Sequence, residues 1–105
     1  MPSSTEEVIR LAIRERRPLA LEYRYPGQGL RTVHPHALYL TAAGATYVDV
    51  YQVDGYTSTA RTLPGWRAFD VAQVISAEPE EGRFALAPGY NPDAPTYRDG
   101  TVAPE

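Results

Sequence analysis

Pro18 divides this chain into two kinds of sequence. Ahead of it lies a stretch with helical periodicity. Behind it the apolar segments are short, alternate with period two and are cut off by Pro or Gly. Proline lacks an amide hydrogen and its ring collides with the preceding helical turn, so a helix running toward residue 18 must stop there. The spacing therefore predicts one helix, over about 4–16. Ser4 and Glu7 stand at capping-box spacing, and Glu6 and Glu7 suit the positive helix end. Val8, Ile9, Leu11, Ala12 and Ile13 form the apolar stripe. Arg14, Arg16 and Arg17 crowd the last turn, as a solvated helix end or as a patch for a partner or a phosphate.

Five short strands are predicted after the proline. Leu19, Leu21, Tyr23 and Tyr25 alternate along the first. Pro26-Gly27-Gln28-Gly29 reads as a turn. A second strand spans about 31–40 and should bend at Pro35. The third runs from Ala45 to Val53, with Tyr47, Asp49 and Tyr51 on one face and Val48 and Val50 on the other. A Gly-, Thr- and Ser-rich loop leads to a short strand at Trp66–Phe69, and a turn and last strand lie within 71–78. Pro88, Pro92, Pro95 and Pro104 then interrupt a segment without periodicity, read as a tail that is extended or disordered. The expected fold is α+β and mainly β: an N-terminal helix, a small five-stranded barrel over 4–84, and an irregular tail over 85–105.

Composition narrows the function classes. A chain of 105 residues holds one compact core. With no cysteine, disulfides, thiolate catalysis and Cys-ligated zinc are excluded. No apolar run reaches the roughly 18 residues needed to span a bilayer, and the N-terminus lacks signal-peptide features, so a cytoplasmic location with no membrane partner is expected. All ten basic residues are Arg; the net charge of −3 comes from the acidic excess from residue 70 onward. That balance argues against a broad duplex-DNA footprint but not against a small arginine-lined anion pocket.

In order and spacing, several segments resemble the WYL domain family of small Sm-like (SH3-like) barrels found in bacterial regulators. They are Val8–Ile13 with Leu19–Arg24, Arg31-Thr32-Val33-His34-Pro35, Ala37-Leu38-Tyr39, Thr46-Tyr47-Val48, Arg67-Ala68-Phe69-Asp70-Val71 and Gln73-Val74. The resemblance spans about residues 6–84. It implies a domain that senses a nucleotide or a single-stranded oligonucleotide, in transcriptional regulation linked to DNA damage or phage defence. Family members are commonly fused to a helix-turn-helix domain. The segment before the first strand is too short for one, so a stand-alone domain is expected, acting through a DNA-binding regulator protein or as a homo-oligomer. Thr46, Val48 and Gln73 depart from the family's Trp, Leu and Arg, and the loss of a cation at 73 bears on how strongly an oligonucleotide would be held.

The candidate ligand-binding residues are Arg31, Arg67, Tyr47, His34, Tyr51, Tyr23 and Gln73. Two guanidiniums can grip a phosphate fork-wise, but either could equally pair with Asp49 or Asp70. Tyrosines offer a flat face for a base and a hydroxyl for its edge; half-buried barrel tyrosines look the same. His34 and His36 should share a strand face, within reach of one metal, but no third ligand is apparent. Trp66 reads as a core anchor, or as a loop cap or interface residue. No constellation for catalysis stands out, so no enzyme activity and no cofactor are expected. RNA cleavage by His34 with Arg31 and Tyr47 is the enzymatic alternative, and a ligand-free protein-interaction or oligomerisation module is the other.

Overall fold

The computed structural model describes residues 4–25, 27, 29–57, 62–91, 94, 97 and 102–104. The side chain of Ser4, turn residues Pro26 and Gln28, loop residues 58–61 and much of the tail lie outside them, so the predicted Ser4 cap and parts of the predicted turn, loop and tail do too.

Helix α1 spans Ser4–Glu15. Ile9, Ala12 and Ile13 are buried, whereas Leu11, expected in the same stripe, faces solvent. Arg16 takes a left-handed conformation (φ 55°). Its amide donates to the Ile13 carbonyl and that of Arg17 to the Ala12 carbonyl, which is Schellman closure, and Pro18 prevents any continuation.

Strands β1 (Leu19–Tyr23), β2 (Arg31–Leu40), β3 (Thr46–Gly55), β4 (Gly65–Asp70) and β5 (Val74–Pro79) follow, with a 3₁₀ turn at Val71–Gln73 between the last two. They form one antiparallel sheet in the order β4-β3-β2-β1-β5. The helix-plus-five-strand architecture is as expected. Its closure is not: β4 and β5 are the two edges of the sheet, so the sheet is open where a barrel was predicted.

The sheet has two unlike faces. On the helix side, Ile9, Ala12 and Ile13 pack with Leu19, Leu21, Val33, Leu38, Val48, Val50, Phe69, Val71, Val74 and Val102. The opposite face carries His34, His36, Tyr39, Asp49, Tyr51 and Trp66. Part of the tail lies against it, including the buried Phe84 and Ala87.

The bend predicted at Pro35 is a β-bulge. Pro35 lies opposite Val50 and Ala37 opposite Asp49, which leaves His36 as the extra residue. β2 is an interior strand, and proline, having no N–H to give a ladder, is confined to edges and bulges. β1 pairs with β2 only as far as Val33; further along, Leu38 exchanges backbone hydrogen bonds with Val102 of the tail (3.3 and 3.0 Å).

Ile13 lies at the centre of the helix–sheet contact and is fully buried. Ile13→Ala is expected to lower the unfolding free energy by about 2–5 kcal/mol, read from the urea midpoint at constant slope. A loss below about 1 kcal/mol would show that α1 is not part of the cooperative core.

Candidate functional site

Arg31 opens β2 on the helix side of the sheet and is only 5 % exposed. Its guanidinium carbon lies 5.1 Å from the Phe69 ring centroid, 5.3 Å from Tyr56 and 5.9 Å from Tyr23. The Tyr23 and Phe69 rings pack at 4.4 Å. The Asp70 amide donates to the Tyr23 hydroxyl at 3.0 Å, which fixes that ring. Three aromatic faces thus hold the cation, where a carboxylate would be the usual partner for a buried charge. Its Nε is sealed from solvent without a hydrogen-bond partner. Burial is the main reason its pKa lies below the ordinary arginine value, and the nearby positive charge of Arg67 pushes the same way.

Local sequence builds this arrangement. Gly55 faces Arg31 across the ladder at φ 96°, and a Cβ there would come within 2.2 Å of the Leu30 carbonyl oxygen and 2.8 Å of the Arg31 Cα. Only glycine lets the start of β2 run this close. Gln52, on the buried side of β3, is fully enclosed. It donates Nε2 to the carbonyls of Tyr56 (2.7 Å) and Asp54 (3.2 Å), drawing the residues after β3 inward where Tyr56 meets Arg31. Its Oε1 is buried and unpartnered.

Arg67 lies opposite Val50 on the edge strand β4 and turns back to donate Nη1 to the Trp66 carbonyl at 2.8 Å. Neither Asp49 nor Asp70 pairs with an arginine among the described residues. Asp49 accepts two tyrosine hydroxyls, and Asp70 accepts the Ala72 amide at the 3₁₀ turn.

The expected single pocket is divided between the two faces. Arg31 and Arg67 come together with Tyr23. Gln73 sits at the rim of that face, accepting Arg24 Nε at 2.8 Å, and the Arg24 guanidinium lies 5.6 Å from the Tyr23 ring. His34, Tyr47 and Tyr51 lie across the sheet. His34 stacks on Phe84 (4.8 Å, 5°), Tyr51 meets Trp66 edge-on at 5.4 Å, and Tyr47 neighbours Tyr39 at 6.4 Å. Trp66 is not a core anchor; it donates Nε1 to the Pro88 carbonyl at 2.8 Å and ties the tail to the sheet.

His36 is fully buried and holds the tail from below. Its Nδ1 lies 2.8 Å from the His34 carbonyl and so must donate; its Nε2 accepts the Ala87 amide at 3.0 Å and so must be unprotonated. Both ring nitrogens are thereby committed, and no group of three potential metal ligands occurs among the described residues.

A second constellation surrounds Asp49. Tyr39 donates to Oδ1 at 2.8 Å and Tyr97 to Oδ2 at 2.5 Å. Burial, reinforced by the Asp49 charge, raises both hydroxyl pKa values well above the ordinary tyrosine value. Of the features sequence reading passed over, Gln52 had a usable signal, a polar side chain at a core-facing strand position; Tyr56 and the pairing of Tyr39 and Tyr97 with Asp49 had none.

These features define a small, mainly β domain with one helix and a buried arginine cluster set among aromatic rings. Residues 5–79, from the first turn of α1 to the end of β5, match the WYL domain family model. The chain belongs to the WYL domain family, a family of regulatory domains. Comparison with curated proteins and with solved structures gave no significant match. No helix among the described residues is long and apolar enough to cross a membrane.

Burial lowers the pKa of both His34 and His36 below the ordinary histidine value of 6.5. The unfolded chain therefore takes up protons before the folded one does. Stability is intact above about pH 6.5 and declines as pH falls below it. A lower urea midpoint at pH 5.5 than at pH 7.5 is expected, with a smaller difference in His36→Gln. A midpoint that rises on acidification would contradict the assignment of His36 as a neutral acceptor.

Proposed function

We propose that this domain is a non-catalytic sensing module that binds a phosphate-bearing ligand, a nucleotide or short single-stranded oligonucleotide, at Arg31 and Arg67. The observation that carries this reading is the state of Arg31. A cation so deeply buried, with no carboxylate partner among the described residues and beside a second cation, is costly to the unliganded fold. An anion at the two guanidiniums removes that cost and adds charge-assisted hydrogen bonds. Tyr23 and Tyr56 supply flat faces beside it, and Gln73 and Arg24 form a polar rim. Membership in a regulatory family favours sensing, and the family resemblance favours a role in DNA-damage or phage-defence regulation, exerted through a DNA-binding partner or self-association in the cytoplasm.

A thermal-shift screen against inorganic pyrophosphate, mononucleotides, cyclic dinucleotides and short single-stranded DNA and RNA tests the reading. A ligand that binds only the folded state raises Tm by mass action. Arg31→Ala and Arg67→Ala should each cost more than about 1.5 kcal/mol of binding, roughly tenfold in Kd. Unchanged affinity in both variants, or no shift with any phosphate compound at millimolar concentration, would refute it.

A further inference from the structure

The face of the sheet away from the helix holds a cleft of about 420 Å³, lined by Asp49, Trp66, Arg67, Ala68, Gly89, Tyr90 and Tyr97. Its size falls within the range of about 300–1,000 Å³ typical of small-ligand pockets. The strand register explains why it is open. Asp49 faces Ala37 across the β2 ladder and Ala68 across the β4 ladder, so both of its cross-strand neighbours are small. Larger aromatic groups stand around it: Trp66 on β4, and Tyr90 and Tyr97 from the tail. Trp66 and Tyr90 both pack on the buried His36 ring, at 4.9 and 5.2 Å, and Tyr97 packs on Tyr39 at 5.2 Å, so all three are backed by the sheet.

The chemistry of the floor is specific. A carboxylate oxygen can accept two hydrogen bonds. Each oxygen of Asp49 takes one from a tyrosine, and among the described residues each keeps capacity for one more. No cation pairs with Asp49 among the described residues. A ligand that fits must present two adjacent N–H donors on a flat, stackable frame. Among the common bases guanine does so, through N1–H and its 2-amino group. Adenine and cytosine place an acceptor beside the donor, and uracil flanks its single N–H with carbonyls. A cationic guanidinium offers the same donors, but the positive charge of Arg67 on the cleft wall disfavours it and favours a neutral base carrying a phosphate.

We propose that this cleft is a guanine-base pocket, with Asp49 reading N1–H and the 2-amino group, Trp66 and Tyr90 stacking on the ring, and Arg67 on the phosphate side. The proposal rests on the nucleotide reading above and names its base. Arg67 borders the cleft and also acts electrostatically on Arg31, so it links the two faces around the open edge of β4.

Trp66 is the chain's only tryptophan, so its fluorescence reports on the cleft directly. Guanosine, inosine, adenosine and arginine are titrated into the wild-type protein, which avoids any question of misfolded variants. Saturable quenching by guanosine is expected, with affinity at least tenfold weaker for inosine, which lacks the 2-amino group, and weaker again for adenosine. Asp49→Asn should abolish the guanosine preference while leaving pyrophosphate binding at Arg31 measurable. Equal binding of guanosine and adenosine, or no quenching by either, overturns the pocket; so does arginine outcompeting guanosine, which would mark a cation site. Pyrophosphate binding that is lost in Arg31→Ala, alongside any of these results, leaves the phosphate reading standing and removes only the base assignment. If neither pyrophosphate nor guanosine binds, both readings fall.

Discussion

Pro35 has no amide hydrogen to offer a neighbouring strand, yet it stands in β2, which has β1 on one side and β3 on the other. The chain accommodates it by inserting His36 as an unpaired residue. That local solution sets much of the rest. Strand alternation would put His36 and Ala37 on opposite faces; the bulge gives both to the face away from the helix. His36 becomes the buried post on which the tail is fastened, and Ala37 leaves room above Asp49. Leu38 returns to the helix side and completes the core. One missing hydrogen-bond donor thus shapes the surface on which Phe84 and Ala87 pack and the recess above Asp49.

The two faces use polar groups in opposite ways. On the helix side Arg31 is held by aromatic rings and the fully buried Gln52 has an unpartnered oxygen, so the polar groups there are incompletely satisfied. On the other face Asp49 and His36 have hydrogen-bond partners in the protein, and aromatic rings fill the space between them. Unsatisfied buried polar atoms raise the free energy of a fold and are uncommon without a reason. Their concentration around Arg31 separates that region from a surface that is merely polar.

Much of the fold was legible because its signals are local. Pro18 ended the helix, Arg31 and Leu40 bounded β2 as read, and the alternation of Val48 and Val50 with Tyr47, Asp49 and Tyr51 gave the two sides of β3. The division of the candidate site was also written in that alternation. Arg31 and His34 differ by an odd number of positions, and the register shift between them places its extra residue, Val53, on β3 and not on β2, so the two cannot share a face. Barrel closure was not legible, because whether β4 meets β5 depends on the curvature accumulated over the whole sheet. Nor was Trp66 as a tether: its partner is the Pro88 carbonyl, and a backbone acceptor leaves no mark in sequence. Tyr97 and Asp49 are separated by 48 positions and meet only once the tail has turned back over the sheet.

The pairing of Val102 with Leu38 has a consequence for how the protein behaves in a crowd. Beyond Val33, β2 has no β1 partner, and an exposed strand edge is a template on which another chain can extend a sheet. Val102 occupies that edge with reciprocal backbone bonds and buries its own side chain in the core. At Leu38, therefore, the backbone groups that another chain could pair with are already taken by the protein's own tail.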